Sequence, residues 1–83
     1  MMMCSDLPHV DLHIDASGLT CPLPILRTKK ALAQLESGQV LSVLTTDSHA
    51  LRDFQAFSRQ TGNTLLAQLE QSDGHLLHYM QRR

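Results

Sequence analysis

Residues 10–36, VDLHIDASGLTCPLPILRTKKALAQLE, decide the fold. From Val10 the chain alternates, with Val10, Leu12, Ile14 and Ala16 on one face and Asp11, His13 and Asp15 on the other. A period of two predicts a strand with one buried face. Ser17-Gly18-Leu19-Thr20 is the connection, and Gly18 supplies the tight turn. Beyond it the period changes. Ile25, Leu32 and Leu35, with Thr28 between them, recur at three- and four-residue spacing. That spacing predicts a helix from about Pro22 to Glu36 with one buried stripe, stopped by Gly38.

The same alternation of periods continues to the end of the chain. QVLSVLT, residues 39–45, is apolar on both faces and suits an inner strand. Asp47 then reads as an N-cap, and Ala50, Leu51, Phe54 and Phe57 mark a second amphipathic helix that Gly62 terminates. Leu65, Ala67 and Leu69 alternate with Leu66, Gln68 and Glu70 as a third strand. Asp73-Gly74 is a hairpin signal, and HLLHYMQ, residues 75–81, returns as a fourth strand. The order βαβαββ predicts an α/β two-layer sandwich, two helices on one face of a four-stranded mixed sheet. Residues 1–9 read as a flexible N-terminal leader and 10–83 as a single domain.

The totals set limits on function. At 83 residues the chain holds one small core, and aromatics at 4% make that core an expected aliphatic one. A formal net charge of -1 gives no general attraction to nucleic acid or to an anionic membrane, so neither is expected as a direct partner. No apolar run approaches the roughly 20 residues of a spanning helix. The opening MMMCSDLPH lacks the charged and apolar regions of a signal peptide. Two cysteines do not make a disulfide framework, which points to the reducing cytoplasm.

Cys21 is the residue that asks for chemistry, because it stands where the strand-to-helix turn becomes a helix. A helix N-terminus carries about half a positive charge and unpaired backbone N–H groups. Cysteines placed there have a lowered pKa, and the thiolate is the competent nucleophile. Pro22, read as the first helical residue, and Pro24 remove donors that would lack partners anyway. The amides of Leu23 and Ile25 are then the ones expected to face the sulfur. Cysteine is not a favoured cap, so its placement favours reactivity over capping.

DASGLTCPLPI, residues 15–25, resembles the signature of the small TusA/SirA-type sulfur-carrier family, whose hallmark is Cys-Pro-x-Pro opening the first helix. The resemblance extends from about Asp11 to Arg83, through DSHALRDF at 47–54 and QTGN at 60–63. It implies a carrier that holds sulfur as a persulfide on Cys21 in the manner of a sulfurtransferase. The implied donor is a cysteine desulfurase and the acceptor a further protein, toward tRNA thiolation or sulfur-containing cofactors. Some members have a second cysteine where this chain has Ser58, and proline is frequent where it has Ser48. A one-cysteine relay needs no resolving thiol.

Other residues are read beside these. Arg27, Lys29 and Lys30 form a solvated face that can also dock an acidic partner. Asp47, Arg52 and Asp53 open the second helix at the same sheet edge as Cys21, where Arg52 would favour a charged sulfur. Cys4 reads as an exposed leader residue. The five histidines, His9, His13, His49, His75 and His78, have no metal-ligand spacing, and no cofactor or metal is expected. A different class of function stands beside the relay: a non-enzymatic regulatory or protein-interaction domain, in which Cys21→Ser would leave function intact. A dithiol redox cycle is disfavoured by the absence of Cys-x-x-Cys.

Overall fold

The computed structural model describes residues 7–83, so Cys4 lies outside the described residues. The elements are β1 (Leu12–Ala16), α1 (Leu23–Leu32), β2 (Val40–Thr45), α2 (Ala50–Thr61), β3 (Thr64–Glu70) and β4 (Leu76–Gln81). They build the expected sandwich on a sheet of order β1-β2-β4-β3. β1 and β2 are parallel, and β4 runs antiparallel between β2 and β3. β2 is therefore an inner strand, which explains why both of its faces are apolar.

Register sets which side chains meet the helices. Leu12, Ile14 and Ala16 stand beside Leu41, Val43 and Thr45, which in turn oppose Met80, His78 and Leu76. Ala31, Leu32 and Leu35, with Ala50, Phe54 and Phe57 of α2, close over that face. The core is thus not purely aliphatic. Phe54 is its largest fully buried side chain, and it stacks on His78 with ring centroids 3.9 Å apart and planes 9° apart.

His78 is fully buried and satisfied at both nitrogens. Its Nε2 lies 2.8 Å from Thr45 Oγ1 and its Nδ1 lies 3.0 Å from Gln68 Nε2. Gln68 Nε2 also donates to the Leu51 carbonyl at 3.0 Å, while Gln68 Oε1 accepts from Gln55 Nε2 at 3.1 Å. That second pair fixes the amide orientation, so Gln68 presents N–H to the imidazole. Nδ1 must accept and Nε2 must carry the proton, which makes His78 a neutral imidazole.

Gln68 reaches this position through a register shift between Leu65 and Ala67 in β3. The expected strict alternation places Gln68 on the face opposite Leu65. The irregularity instead puts both on the helix side, Leu65 opposite Met80 and Gln68 opposite His78. Leu66, the extra residue, is left exposed.

α1 is shorter than the expected 22–36. Its regular helix stops at Leu32, and Gln34 and Leu35 close back on Ala31 and Leu32 through N–H···O bonds of 3.0 Å. These are tighter three-residue turns, and they still bury Leu35 because a spacing of three serves either geometry. The Arg82 guanidinium donates to the Leu35 carbonyl, capping this end. α2 ends as expected: Gly62 adopts φ 80° and ψ 0°, and its N–H bonds the Ser58 carbonyl at 3.0 Å. A left-handed residue at this position favours glycine.

Candidate functional site

β1 and β2 finish side by side, Ala16 paired with Thr45, so the loops that follow leave the sheet together. The first loop opens on an Asp15 turn, in which Asp15 Oδ1 accepts from Ser17 N at 2.9 Å and Ser17 Oγ at 2.6 Å. These bonds hold the Asp15 carboxyl below its usual pKa. Gly18 then turns with φ +80°, and its N–H donates to Thr46 Oγ1 at 2.8 Å. A second tie follows at Cys21, whose N–H donates to Asp47 Oδ2 at 2.9 Å. The polar pair Thr46-Asp47, just past β2, thereby pins the loop that carries the cysteine.

Asp47 is not the N-cap of α2 that its position suggested. His49 holds that place, and no side chain caps the helix. Asp47 stands two residues earlier and divides its carboxylate: Oδ2 to Cys21, Oδ1 to His49 N at 3.3 Å and His49 Nδ1 at 3.2 Å. Its carbonyl accepts from Ala50 N at 3.0 Å. The bonds from the Cys21 and His49 amides lower its pKa. One carboxylate therefore joins the starts of both helices.

The first turn of α1 also differs in detail from the expected one. Pro22 is the N-cap residue, joined to Cys21 by a cis peptide, and Leu23 rather than Pro22 begins the helix. The Leu23 amide donates to the Thr20 carbonyl at 2.8 Å, so it is not free to meet the sulfur. Leu26 N donates to Pro22 O at 3.1 Å and starts the ladder. Pro24 has no donor and is buried. The Ile25 amide is the donor of this turn left without a protein partner among the described residues.

Cys21 is a free, exposed thiol. Leu23 and Leu26 beside it are exposed apolar side chains, at 45% and 54%. The electrostatics run against the sequence expectation: the Cys21 pKa is raised, not lowered. The largest cause is hydrogen bonding to the Asp53 carboxylate, followed by desolvation and by the negative charges of Asp53 and Asp47. A neighbouring carboxylate opposes formation of a second anion and welcomes a proton donor. Arg52, expected to supply a cation, is exposed and is not among the groups acting on the thiol. Asp53, one residue on, was the decisive neighbour, and only the pitch of α2 reveals which of the two faces α1.

Arg27 and Lys30 lie away from this end, on the flank of α1. With Leu12, Ile14, Ala31 and Gln34 they line a groove of about 400 Å³.

Residues 12–82 match the profile of the family described as Sulfurtransferase TusA. The chain belongs to that family. It is 51% identical over 70 residues to a sulfur carrier protein TusA of Allochromatium vinosum, covering 84% of this chain and 90% of that one. It is 62% identical over 58 residues to a putative sulfur carrier protein of Neisseria meningitidis, covering 70% and 78%. Among solved structures, a SirA-like protein from Desulfitobacterium hafniense superposes with a TM-score of 0.76 at 34% identity, over 84% of this chain and 95% of that one. Family membership and the shared fold agree with the Cys-Pro-x-Pro reading of the sequence.

Proposed function

We propose that this chain is a sulfur carrier whose Cys21 accepts sulfur as a persulfide and hands it to a second protein. The observation that supports the reading best is the placement of Cys21. It is an exposed thiol on a loop pinned through its own amide, at the start of a helix, in a chain whose relatives are named sulfur carriers. An anchored backbone with an open sulfur suits exchange between proteins, where the partner must reach the atom without rearranging it.

The proposed step balances without an external oxidant. Cys21 gives up its proton, and its sulfur attacks the outer sulfur of a donor persulfide. The new S–S bond forms as the donor's S–S bond breaks, and the donor cysteine leaves as a thiolate that takes up the proton. Delivery is the same displacement, with the acceptor's nucleophile attacking the outer sulfur and Cys21 as the leaving group. A cysteine desulfurase is the proposed donor, and a protein on the route to tRNA thiolation or a sulfur-containing cofactor the proposed acceptor. The cytoplasm is the proposed compartment.

Incubation with a cysteine desulfurase and cysteine tests the reading. Mass spectrometry should find one added sulfur, located on the Cys21 peptide and absent from Cys21→Ser. Wild type that does not load, or a serine variant that loads equally, refutes it. If Cys21→Ser instead retains the cellular role, the interaction-domain reading takes its place.

A further inference from the structure

The groove on the flank of α1 has three properties that converge on one kind of occupant. The first is a free strand edge. Among the described residues, β1 pairs with β2 on one side and with nothing on the other, so alternate backbone N–H and C=O groups along it have no ladder partner there. The second is an apolar floor beside that edge. Leu12 and Ile14 of β1 are only half-buried under α1, and Ala31 completes the floor. The third is charge. Arg27 and Lys30 stand on the helix side of the groove; among the described residues neither is in an ion pair, and no acidic side chain lines it. Gln34 adds an uncommitted amide one turn further on.

Natural sheets usually blunt an edge with a lysine or an inward charge on the strand itself, or cover it. Here the cations are on the neighbouring helix, set back across an apolar floor. That leaves the edge accessible while favouring negative charge above it. The strand's other face carries His13, which bonds Ser42 Oγ, and Asp15, which Ser17 holds; Asp11, just before the strand, accepts from Val40 N and pairs with His9. The charge free to meet an added strand is therefore the cationic pair on the helix side.

We propose that β1 and the α1 flank form a docking groove for an extended acidic segment of a partner protein, added to the sheet as a fifth strand. Such an addition takes affinity from main-chain hydrogen bonds and selectivity from alternate side chains. In this groove the side chains directed to the helix would be acidic or aliphatic, meeting Arg27, Lys30, Leu12 and Ile14. The groove is built by residues other than Cys21 and its loop, so the inference stands or falls apart from the chemistry of the thiol.

The test uses the full chain, labelled with ¹⁵N, and a short capped peptide alternating glutamate and valine, titrated to millimolar concentration. The β1 amides should shift and gain protection from hydrogen exchange, and the same peptide with lysine for glutamate should not produce this. Arg27→Glu with Lys30→Glu should weaken binding by at least about tenfold, since two attractive pairs become repulsive. Both positions are exposed, and a urea midpoint near that of wild type verifies that the variant folds. Several results overturn the proposal: no shifts in β1, shifts centred elsewhere, equal binding of the basic peptide, or unchanged affinity in the double variant. Concentration-dependent dimerisation that protects β1 without peptide also overturns it, because the edge would then pair with a second copy.

Discussion

Acidification should destabilise this domain well before its carboxylates are protonated, and the cause is His78. Burial against Phe54 lowers its pKa from 6.5 to about 4. The hydrogen bonds act in the same direction, because Gln68 offers an N–H to Nδ1 and a proton placed there would meet another donor. A folded-state pKa below the unfolded one means that the unfolded chain binds the proton first. Stability is complete above pH 6.5 and falls as pH drops toward 4. The full shift is worth about 3.4 kcal/mol at about 1.4 kcal/mol per unit, of which about 2.6 kcal/mol is lost by pH 4.5. Small domains have only about 5–15 kcal/mol in total. Asp15, Asp47 and Asp73 have pKa values lowered below 3.8, so their contribution fades only as pH falls further, and the difference in slope between wild type and a His78 variant assigns the loss above pH 4.5 to His78. Urea unfolding followed by circular dichroism at several pH values between 7.5 and 4.5 measures the slope, and imidazole NMR measures the His78 pKa directly. His78→Leu should be less stable at pH 7.5, since Thr45 and Gln68 lose their partner, yet its stability should fall less steeply with acid. A His78 that titrates near 6.5, or a variant with an unchanged pH slope, refutes the reasoning.

Three further outcomes follow from the geometry around the helix starts and ends. Asp53→Asn should move the pH profile of Cys21 alkylation by iodoacetamide to lower pH and raise the rate at neutral pH, because the carboxylate that favours the protonated thiol is gone; an unchanged profile contradicts the assignment. Asp47→Ala removes the acceptor for Cys21 N–H and the link to His49, and should lower the urea unfolding midpoint, with Asn recovering part of the loss. Gly62→Ala should cost about 1–2 kcal/mol through the left-handed backbone alone, since the added methyl would sit 3.4 Å from Arg83 Cδ without a clash. A loss much below 0.5 kcal/mol there would mean that the α2 cap relaxes to another conformation.

The parts of the fold that periodicity could express were legible. Alternation in 10–16, the mostly apolar run in 40–45 and the Asp73-Gly74 turn are local signals, and the strands Leu12–Ala16, Val40–Thr45 and Leu76–Gln81 formed within or beside them. What escaped was set between elements. The register shift after Leu65 adds one residue to β3, and nothing in TLLAQLE announces it; the reason appears only when Gln68 is seen bonding His78 and Leu51. The stacking of Phe54 on His78 was not legible, because it joins residues on different elements. At the site, the position of Cys21 was legible from Cys-Pro-x-Pro, but its electrostatics were not. Donors on α1 alone would favour the thiolate, but Asp53 of α2 and Asp47 ahead of it act at the same end and oppose it.

This acidic setting changes what the proposed relay asks of its partners. A thiolate of low pKa is abundant but a weaker nucleophile, whereas one of high pKa is scarce but intrinsically stronger. With Asp53 and Asp47 beside it, Cys21 in the free protein stays mainly a thiol at neutral pH, the form least prone to oxidation on an exposed loop. The proton must then leave at the moment of transfer, either to Asp53, whose carboxylate favours the protonated thiol, or to a group supplied by the docked protein. A basic residue of the partner placed against Asp53 would remove the charge that holds the proton in place. Activation would thus coincide with docking: reactivity is low when the carrier is alone and rises when a cation arrives with the acceptor or donor. The exposed Leu23 and Leu26 give such a partner an apolar surface on the first turn of α1, the helix that follows Cys21.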